Sequence, residues 1–230
     1  MQIKNAELAP DLEYIKFWVF DLDNTLYPHG ADLFTQVDYK MGLFIQDMFN
    51  ISYEEAKIRQ KHFFMTHGTT LRGLMTEHGI EPYAYLDFVH DIDFSVLKVD
   101  DTLNAALEML PGEKFIYTNA STSYANDVLS RIGLTGKFKD IFDIHDAEFL
   151  PKPDIRSYHK MVEKFSIDPN KSVMVEDIAG NLNPAAELGM TTVWVPTGAH
   201  WSDNGQNGKN IDYVAPNLPE WLKNVVSSAQ

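Results

Sequence analysis

Two acidic residues, Asp21 and Asp23, directly follow the apolar run from Phe17 to Phe20. On a strand they would lie on one face, because side chains alternate with a period of two, and beyond the strand end they can converge. Two close carboxylates repel each other unless a cation lies between them or one of them holds a proton. A short D-x-D motif by itself is more typical of a solvated turn, and the Asn24-Thr25 pair that follows suits a tight turn. The spacing therefore fits two interpretations, which are a solvated turn and a pair of acids that binds a cation.

Thr118 and Asn119 lie at the end of a second apolar run, residues 114–118. From a strand end, the Thr118 hydroxyl can hydrogen-bond a phosphoryl oxygen, and the N-terminus of a helix that begins just after it attracts anions. The alternative is that these polar side chains only cap the next helix, which is predicted at residues 122–132. Taken alone, capping is the better interpretation of this pair.

Lys152 lies between Pro151 and Pro153, in the loop that follows a third apolar run. Because prolines restrict the backbone on both sides, the sequence predicts an extended and stiff segment around this lysine. A lysine fixed in this way can present its ammonium group to a phosphate. Most single loop lysines lie on the surface, and a surface position is the alternative here.

Glu176 and Asp177 end a fourth apolar run, as Asp21 ends the first, and Asn181 follows four residues after Asp177. Mg²⁺ prefers a few oxygen ligands, together with water and substrate phosphate. The functional interpretation is that Asp177 supplies a third carboxylate to a site for a hard metal ion. The alternative is a polar pair that caps the helix after this run.

Five short apolar runs, rich in β-branched or aromatic residues, predict strands. Their nearly continuous apolar character is typical of parallel strands covered on both faces, and helical patterns separate most of them. This alternation predicts an α/β fold with a doubly wound, mainly parallel sheet and a Rossmann-like core, in which ligands bind outside the carboxyl ends of the strands. The strands are predicted at residues 15–20, 114–118, 141–144, 172–175 and 191–195.

More than ninety residues between the first two predicted strands contain no good strand and carry helical patterns instead. Ser52 and Glu55, for example, have the spacing of a capping box that opens a helix. A structureless loop of this length is improbable inside a compact domain. We therefore predict an all-helical cap domain at residues 29–98, inserted into a catalytic core of residues 1–28 and 99–230. Because the insertion leaves from the carboxyl end of the first strand, it can cover the site.

The chain has 230 residues, a formal net charge of −14 and no cysteine. The lack of cysteine excludes disulfides, cysteine-based zinc sites and thiolate catalysis. We expect no nucleic-acid partner, since binding nucleic acid depends on cationic neutralisation of phosphates. We expect no membrane partner and a cytoplasmic protein, because no apolar run approaches the ~20 residues that span a bilayer and the polar N-terminus lacks the apolar centre of a secretory signal. The oligomeric state is left open.

In this order and placement, the motifs resemble the four motifs of the haloacid dehalogenase superfamily of phosphotransferases. DLDNT at residues 21–25 resembles the first motif, Thr118 the second, Lys152 the third, and Glu176-Asp177 with Asn181 the fourth. The resemblance covers nearly the whole chain and includes a helical cap inserted after the first motif.

The resemblance implies covalent catalysis through an aspartyl-phosphate. Asp21 would attack phosphorus in line, and Asp23 would protonate the leaving oxygen and then activate water. Thr118 and Lys152 would hold the transferring phosphoryl oxygens. Dehalogenases of the superfamily lack an acid at the position of Asp23, because a halide leaves without a proton, so Asp23 favours phosphoester chemistry.

The resemblance also implies a Mg²⁺ cofactor. Asp21, the backbone carbonyl of Asp23, and Asp177 would hold the ion, which neutralises the carboxylates and orients the phosphoryl group. Asn181 would orient neighbouring groups, and Glu176 would support the cluster without binding the metal directly.

Four segments are similar to the pyrimidine 5′-nucleotidase branch of the superfamily: TLYPHGADLF (25–34), HGTTLRGLM (67–75), YLDFVHDID (85–93) and LPGEKFIYTNA (110–120). The similarity makes Arg72 the candidate cation over the phosphate or sugar of a substrate. It makes Thr69, Thr70, His90 and Asn119 candidate hydrogen-bonding groups for the substrate. For the cap residues the alternative is ordinary packing and helix capping, which is the favoured interpretation of His90.

We therefore expect a small phosphorylated metabolite as substrate, with the pyrimidine nucleoside 5′-monophosphates UMP and CMP first. A phosphatase of another metabolite, such as a sugar phosphate or phosphoglycolate, is the alternative. A mutase would use the same acids and differ in how its cap excludes water. A non-catalytic binding or regulatory protein is a further interpretation, and the intact set of motif residues argues against it.

Overall fold

One six-stranded sheet forms the centre of the structure, a computed structural model that describes residues 12–203 and 209–228. Its strands are β1 (Phe17–Phe20), β2 (Glu113–Tyr117), β3 (Asp140–Phe142), β4 (Ser172–Glu176), β5 (Thr191–Trp194) and β6 (Tyr213–Val214). They lie in the order β3-β2-β1-β4-β5-β6, and every neighbouring pair is parallel. The predicted doubly wound α/β fold is confirmed. The strand order reverses between β1 and β4, which is where such sheets bind ligands.

The two faces of the sheet pack against different sets of helices. Val19 of β1 and Met174 of β4 belong to one buried apolar cluster. Phe20 and Val175, one residue further along the same two strands, belong to the other. Side chains alternate between the faces of a strand, so both faces of these two central strands are covered. This double covering explains why the strands read as continuous apolar runs in the sequence.

Five α-helices lie between β1 and β2, and the first four are α1 (Leu33–Phe49), α2 (Tyr53–His67), α3 (Thr70–His78) and α4 (Pro82–His90). At the start of α2 the predicted capping box is present, since the Ser52 hydroxyl accepts from the Glu55 N–H and the Glu55 carboxylate accepts from the Ser52 N–H. Helix α1 packs against α2 and α4, and α2 packs against α3. The helical nature of this insertion was predicted from its periodicity, whereas the domain boundaries at residues 28 and 98 stay a prediction.

The remaining helices are α5 (Asp101–Met109), α6 (Thr122–Arg131), α7 (Ile155–Phe165), α8 (Leu182–Glu187) and α9 (Leu218–Ser228). Helices α7 and α8 contribute to the apolar cluster of Val19. Helices α5, α6 and α9, together with the inserted helices, contribute to the cluster of Phe20. None of the helices in the described part of the chain has both the length and the apolar content that crossing a membrane requires.

The strand bounds differ from the prediction most clearly at β3, which ends at Phe142 rather than at residue 144. The Asp143 carboxylate accepts hydrogen bonds from the backbone N–H groups of Thr122, at 2.8 Å, and His145, at 2.9 Å. The Asp143 side chain thus binds backbone N–H groups at the point where the strand ends. Strand β6 is not predicted by the pattern either, because two residues are too few to show a period.

Candidate active site

Asp21 lies directly beyond β1, at the edge where the carboxyl ends of the strands meet. Its N–H donates to the carbonyl of Val175 at 2.9 Å, so the pairing of β1 with β4 continues into this residue. Asn24 has a φ of 62°, a left-handed conformation that asparagine tolerates better than most residues. The hydroxyl of Thr25 donates to Asp21 Oδ2 at 2.8 Å, and Asp21, Asn24 and Thr25 are all buried. The tight turn was predicted, but the solvated interpretation of it is wrong.

Lys152 is buried and joins two of the carboxylates. Its ammonium group donates to Asp21 Oδ1 at 2.6 Å, to Glu176 Oε2 at 2.6 Å and to the carbonyl of Tyr117 at 3.0 Å. Lys152 is only 3% exposed, so the alternative of a surface lysine is wrong. Lys152 lies in a turn that is closed by the bond from the Asp154 N–H to the Pro151 carbonyl at 2.9 Å, and its peptide bond to Pro153 is cis.

Thr118 and Asn119 lie at the carboxyl end of β2, beside β1. Asn119 Oδ1 accepts a hydrogen bond from the backbone N–H of Lys152 at 2.9 Å, which fixes the lysine loop to this strand end. Thr118 is buried, and its hydroxyl oxygen accepts from the N–H of Ala120 at 3.0 Å. The capping alternative for Thr118 is wrong, because Ser121 is the residue that caps α6. The substrate contacts expected of Thr118 and Asn119 stay predictions.

Asp21, Glu176 and Asp177 each have a carboxylate oxygen within 4.8 Å of the other two. Both oxygens of Glu176 have partners: Lys152 donates to Oε2, and the side-chain amide of Asn181 donates to Oε1 at 3.1 Å. Asp177 Oδ2, in contrast, is buried and has no hydrogen-bond partner among the described residues. A buried carboxylate oxygen without a partner is costly unless a cation binds it. A cluster of carboxylates in which one oxygen has no partner in the described part of the chain fits Mg²⁺, which prefers hard oxygen ligands.

The charges of these side chains are strongly coupled. Burial and the charge of Glu176 raise the pKa of Asp21 to about 7, although Lys152 lowers it. Burial, with Glu176 and Asp21 nearby, raises the pKa of Asp177 well above its ordinary value. Burial alone would lower the pKa of Lys152, but Asp21 and Glu176 raise it. Because one ammonium faces three carboxylates, a divalent cation would offset the remaining negative charge and favour the ionised acids.

The backbone of Asp177 is anchored by two residues that the sequence reasoning did not identify. The indole N–H of Trp194 donates to the Asp177 carbonyl at 2.9 Å, and the hydroxyl of Ser202 donates to the same oxygen. Residues 198–210 follow β5, and within this stretch Ser202 is fully buried. Residues 204–208 of that stretch lie outside the described residues.

Asp23 is held by two tyrosines that were also missed. The hydroxyl of Tyr27 donates to Asp23 Oδ1 at 2.5 Å, and the hydroxyl of Tyr124 donates to the same atom at 2.7 Å. Burial raises the pKa of Asp23, against the lowering effect of these two hydrogen bonds. Tyr27 follows Asp23 by four residues in the same turn, so the spacing offered a weak signal. Tyr124 lies on α6 and is brought to Asp23 only by the fold.

Three predicted substrate-binding residues lie around the start of α3. Thr69 caps this helix by accepting from the N–H of Arg72 at 3.1 Å, and Thr70 is buried. Arg72 is half-buried. Hydrogen bonds from Arg156 are the main cause of a lowered pKa at Asp154, and the charge of Arg72 adds to this effect. Arg72 is therefore close enough for its charge to act on Asp154, which lies in the loop between β3 and α7 that carries Lys152.

His90, the last residue of α4, contacts the core. Its ring lies over the ring of Tyr124, with 4.3 Å between the centroids and 25° between the planes. Its Nδ1 atom is 3.2 Å from the hydroxyl of Ser121. A direct contact of His90 with substrate stays a prediction.

Several proteins are similar to this chain in fold or in sequence. An HAD phosphatase from Thermococcus onnurineus has a TM-score of 0.61 at 21% identity, over 91% of this chain and 97% of that one. The L-2-haloacid dehalogenase from Xanthobacter autotrophicus has a TM-score of 0.55 at 17% identity, over 91% of this chain and 98% of that one. At these identities the likeness shows the fold alone. A glyceraldehyde 3-phosphate phosphatase from Pyrococcus furiosus is 25% identical over 138 residues, or 58% of this chain, and the match spans only 57% of that relative's length.

A family pattern gives a more specific result than any single relative. The family model described as haloacid dehalogenase-like hydrolase matches residues 15–189. This span runs from the start of β1 past α8, and it contains all four motifs and the inserted helices. The match covers most of the chain, and the motif residues lie together at one edge of the sheet. These observations show that this protein belongs to the haloacid dehalogenase-like hydrolase family.

Proposed function

We propose that the protein is a Mg²⁺-dependent phosphomonoester hydrolase that acts through an aspartyl-phosphate on Asp21. The observation that carries the proposal is the buried ion pair of Asp21 with Lys152, beside the unpartnered oxygen of Asp177. Asp23 lies two residues beyond Asp21 and is itself held in place. The residues that we propose as nucleophile, fixed cation, acid–base group and metal ligand thus lie at one edge of the sheet.

The chain's own residues would carry out two successive displacements. The Asp21 carboxylate attacks phosphorus while the bond from phosphorus to the leaving oxygen breaks, and Asp23 gives its proton to that oxygen. Water then attacks the aspartyl-phosphate, and Asp23 accepts a proton from this water, which frees inorganic phosphate and restores Asp21. Lys152 and Thr118 hold the phosphoryl oxygens during both displacements.

The acidic cluster would also hold the cofactor. Asp21, Asp177 and the backbone carbonyl of Asp23 are the groups that would hold Mg²⁺, and the bound ion supplies charge neutralisation for the phosphoryl group. Glu176 keeps the Lys152 ammonium group beside Asp21. Asn181 in turn donates to Glu176 and fixes that carboxylate.

For the substrate we propose a pyrimidine nucleoside 5′-monophosphate, UMP or CMP. The support is the similarity of the segments at 67–75 and 85–93 to pyrimidine 5′-nucleotidases, together with Arg72, a half-buried cation whose charge acts on Asp154 in the lysine loop. A triose phosphate or another sugar phosphate is the second candidate. It is favoured by the 25% identity with the Pyrococcus furiosus glyceraldehyde 3-phosphate phosphatase.

Phosphate release over a panel of phosphomonoesters tests both the activity and the substrate. The panel contains UMP, CMP, AMP, glyceraldehyde 3-phosphate, a hexose phosphate and phosphoglycolate, each measured with Mg²⁺ and with EDTA. We expect the highest kcat/KM on UMP and CMP and no release in EDTA. A preference for the sugar phosphates would select the second candidate, and no Mg²⁺-dependent release on any ester would overturn the proposed activity.

The Asp21→Asn variant tests the nucleophile. It replaces a carboxylate oxygen by an amide of the same shape, so we expect activity to be abolished while the circular dichroism spectrum of the folded protein is kept. The matched control is Asp47→Asn, because Asp47 is an exposed acid on α1. Turnover retained in Asp21→Asn would contradict the assignment of Asp21.

A further inference from the structure

The two tyrosine hydroxyls that contact Asp23 donate to the same oxygen atom. Tyr27 and Tyr124 both donate to Oδ1, at 2.5 Å and 2.7 Å. Within residues 12–203 and 209–228, no hydrogen bond to the other oxygen, Oδ2, is present. Both tyrosines are buried, at 4% and 2% exposure, so water does not compete for their hydroxyl groups.

This arrangement determines which oxygen of Asp23 can carry a proton. A carboxylate oxygen has two lone pairs, and the two tyrosine donors fill both lone pairs of Oδ1. A proton on Asp23 must then be on Oδ2, since a proton on Oδ1 would displace a tyrosine and leave a buried hydroxyl without an acceptor. A buried donor without a partner loses its hydrogen bonds to water and gains none in the protein, which disfavours that arrangement.

We propose that Tyr27 and Tyr124 are positioning residues that keep the catalytic proton of Asp23 on Oδ2. The proposal rests on the proposed phosphatase function. As the bond to the leaving oxygen breaks and the bond from Asp21 to phosphorus forms, the proton on Oδ2 moves to the leaving oxygen. When water attacks the aspartyl-phosphate, Oδ2 takes a proton from this water and is ready for the next turnover. The tyrosines keep their own protons throughout, because burial and the charge of Asp23 raise the pKa of both hydroxyl groups.

The fold holds Tyr124 firmly enough for this task. Its backbone N–H donates to the capping hydroxyl of Ser121 at the start of α6. Its ring contacts the ring of His90, with 4.3 Å between the centroids, and the ring of Phe94, with 5.7 Å between the centroids. Both rings belong to the chain segment between β1 and β2, so the inserted segment and the core together orient the hydroxyl that reaches Asp23.

The dependence of kcat/KM on the leaving group tests the proposal. This constant covers the steps up to formation of the aspartyl-phosphate, in which Asp23 acts as the acid. An alkyl phosphate needs a proton on its leaving oxygen, whereas 4-nitrophenyl phosphate has a much better leaving group. General acid catalysis is worth about 10²–10⁴-fold. For the Tyr27→Phe/Tyr124→Phe variant we therefore expect kcat/KM to fall by about 10-fold or more on the alkyl ester preferred by the wild type, and by less than about 3-fold on 4-nitrophenyl phosphate.

The matched control is Tyr85→Phe, which removes a buried hydroxyl from α4 and leaves the hydrogen bonds of Asp23 intact. We expect the kcat/KM of this variant to fall by the same small factor on both esters, if it falls at all. An equal loss on the two esters in the double variant, or no loss on either, would overturn the positioning role. The single variants Tyr27→Phe and Tyr124→Phe keep the test valid if the double variant does not fold. A wild-type protein without Mg²⁺-dependent phosphate release would instead reject the proposed function itself.

Discussion

At the residue scale, the site depends on a lysine that is buried among acids. Lys152 contacts Asp21 and Glu176 at 2.6 Å each, and all three side chains are almost fully buried. Desolvating an ion pair costs several kcal/mol per charge, so such a pair adds little net stability. Its value lies in geometry, because the ammonium group is fixed beside the carboxylate that we propose as the nucleophile.

Removing the lysine charge should therefore harm both stability and activity. In Lys152→Met, Asp21 and Glu176 are left buried without their cation, and breaking a buried pair in this way costs about 3–5 kcal/mol. We expect that loss in the free energy of unfolding, measured by urea denaturation. On the proposed function we also expect a fall of at least about 10²-fold in kcat on the preferred ester, because a group that stabilises the transition-state charge is lost.

The control for this variant is Lys40→Met. Lys40 forms an exposed ion pair with Asp91 at 3.1 Å, and exposed pairs contribute only about 0–1 kcal/mol. Adding Glu176→Gln to Lys152→Met should recover part of the lost stability and none of the activity. A stability of Lys152→Met equal to that of the wild type would show that the cluster carries no uncompensated charge.

At the element scale, α4 is the inserted helix that touches the core near both of its ends. Tyr83 in its first turn stacks on His145, with 5.3 Å between the ring centroids. His90 at its last position stacks on Tyr124 and lies against Ser121. The loops after β2 and β3, which border the proposed site, are thus both in contact with one helix of the insertion.

The contact at His90 should make stability depend on pH. Burial, with His145 nearby, lowers the pKa of His90 to about 4, whereas an unfolded histidine has a pKa of about 6.5. Between these two values the unfolded chain binds a proton that the folded protein does not, so stability falls as the pH falls. We expect the free energy of unfolding of the wild type to decrease more steeply from pH ~6.5 to pH ~4 than that of His90→Phe, which keeps a ring over Tyr124.

Urea denaturation at several pH values measures this difference. His145, whose charge also acts on His90, is unchanged in the variant and serves as an internal reference. The His145→Gln variant should keep the slope between pH ~6.5 and pH ~4 largely intact. Identical slopes for the wild type and His90→Phe would show that His90 is not held in its neutral form by the fold.

The sequence was sufficient for some of these features and insufficient for others, for physical reasons. Strands β1 and β4 are covered on both faces. Because both faces are buried, these strands appear in the sequence as continuous apolar runs, and Asp21 follows the first while Glu176 ends the second. The contact of Lys152 with Asp21 spans 131 residues of chain, and no local pattern carries such a contact. The motif resemblance placed both residues at the site. It contained nothing about Tyr124 or Ser202, whose roles arise from tertiary contacts with Asp23 and Asp177.

At the scale of the whole molecule, negative charge is in excess, as it is in the acidic cluster. The formal net charge is −14, and the cluster sets three carboxylates against one lysine. An anionic substrate must approach this protein against a repulsive field, so local positive charge at the site is required. Lys152 and a bound divalent cation are the two sources of positive charge that the cluster can offer.

A divalent cation should accordingly stabilise the whole fold. A ligand that binds only the folded state at a concentration of 100 times its Kd adds about 2.7 kcal/mol. Since about 1 kcal/mol shifts the Tm of a chain of this size by about 2–4 °C, we expect several degrees of increase with saturating Mg²⁺. NaCl at the same ionic strength controls for screening of the net charge, and Asp87→Asn, at an exposed position of α4, controls for loss of one acid.

The Asp177→Asn variant separates binding at the cluster from general effects of the ion. It removes the buried oxygen that has no partner in the described structure, so we expect it to lose most of the increase in Tm caused by Mg²⁺. Without Mg²⁺ we expect its Tm to be at or above that of the wild type, because burial and two neighbouring carboxylates disfavour the Asp177 charge. An undiminished Mg²⁺ effect in this variant would place the ion elsewhere on the acidic surface, since the cluster would then contribute nothing to the stabilisation.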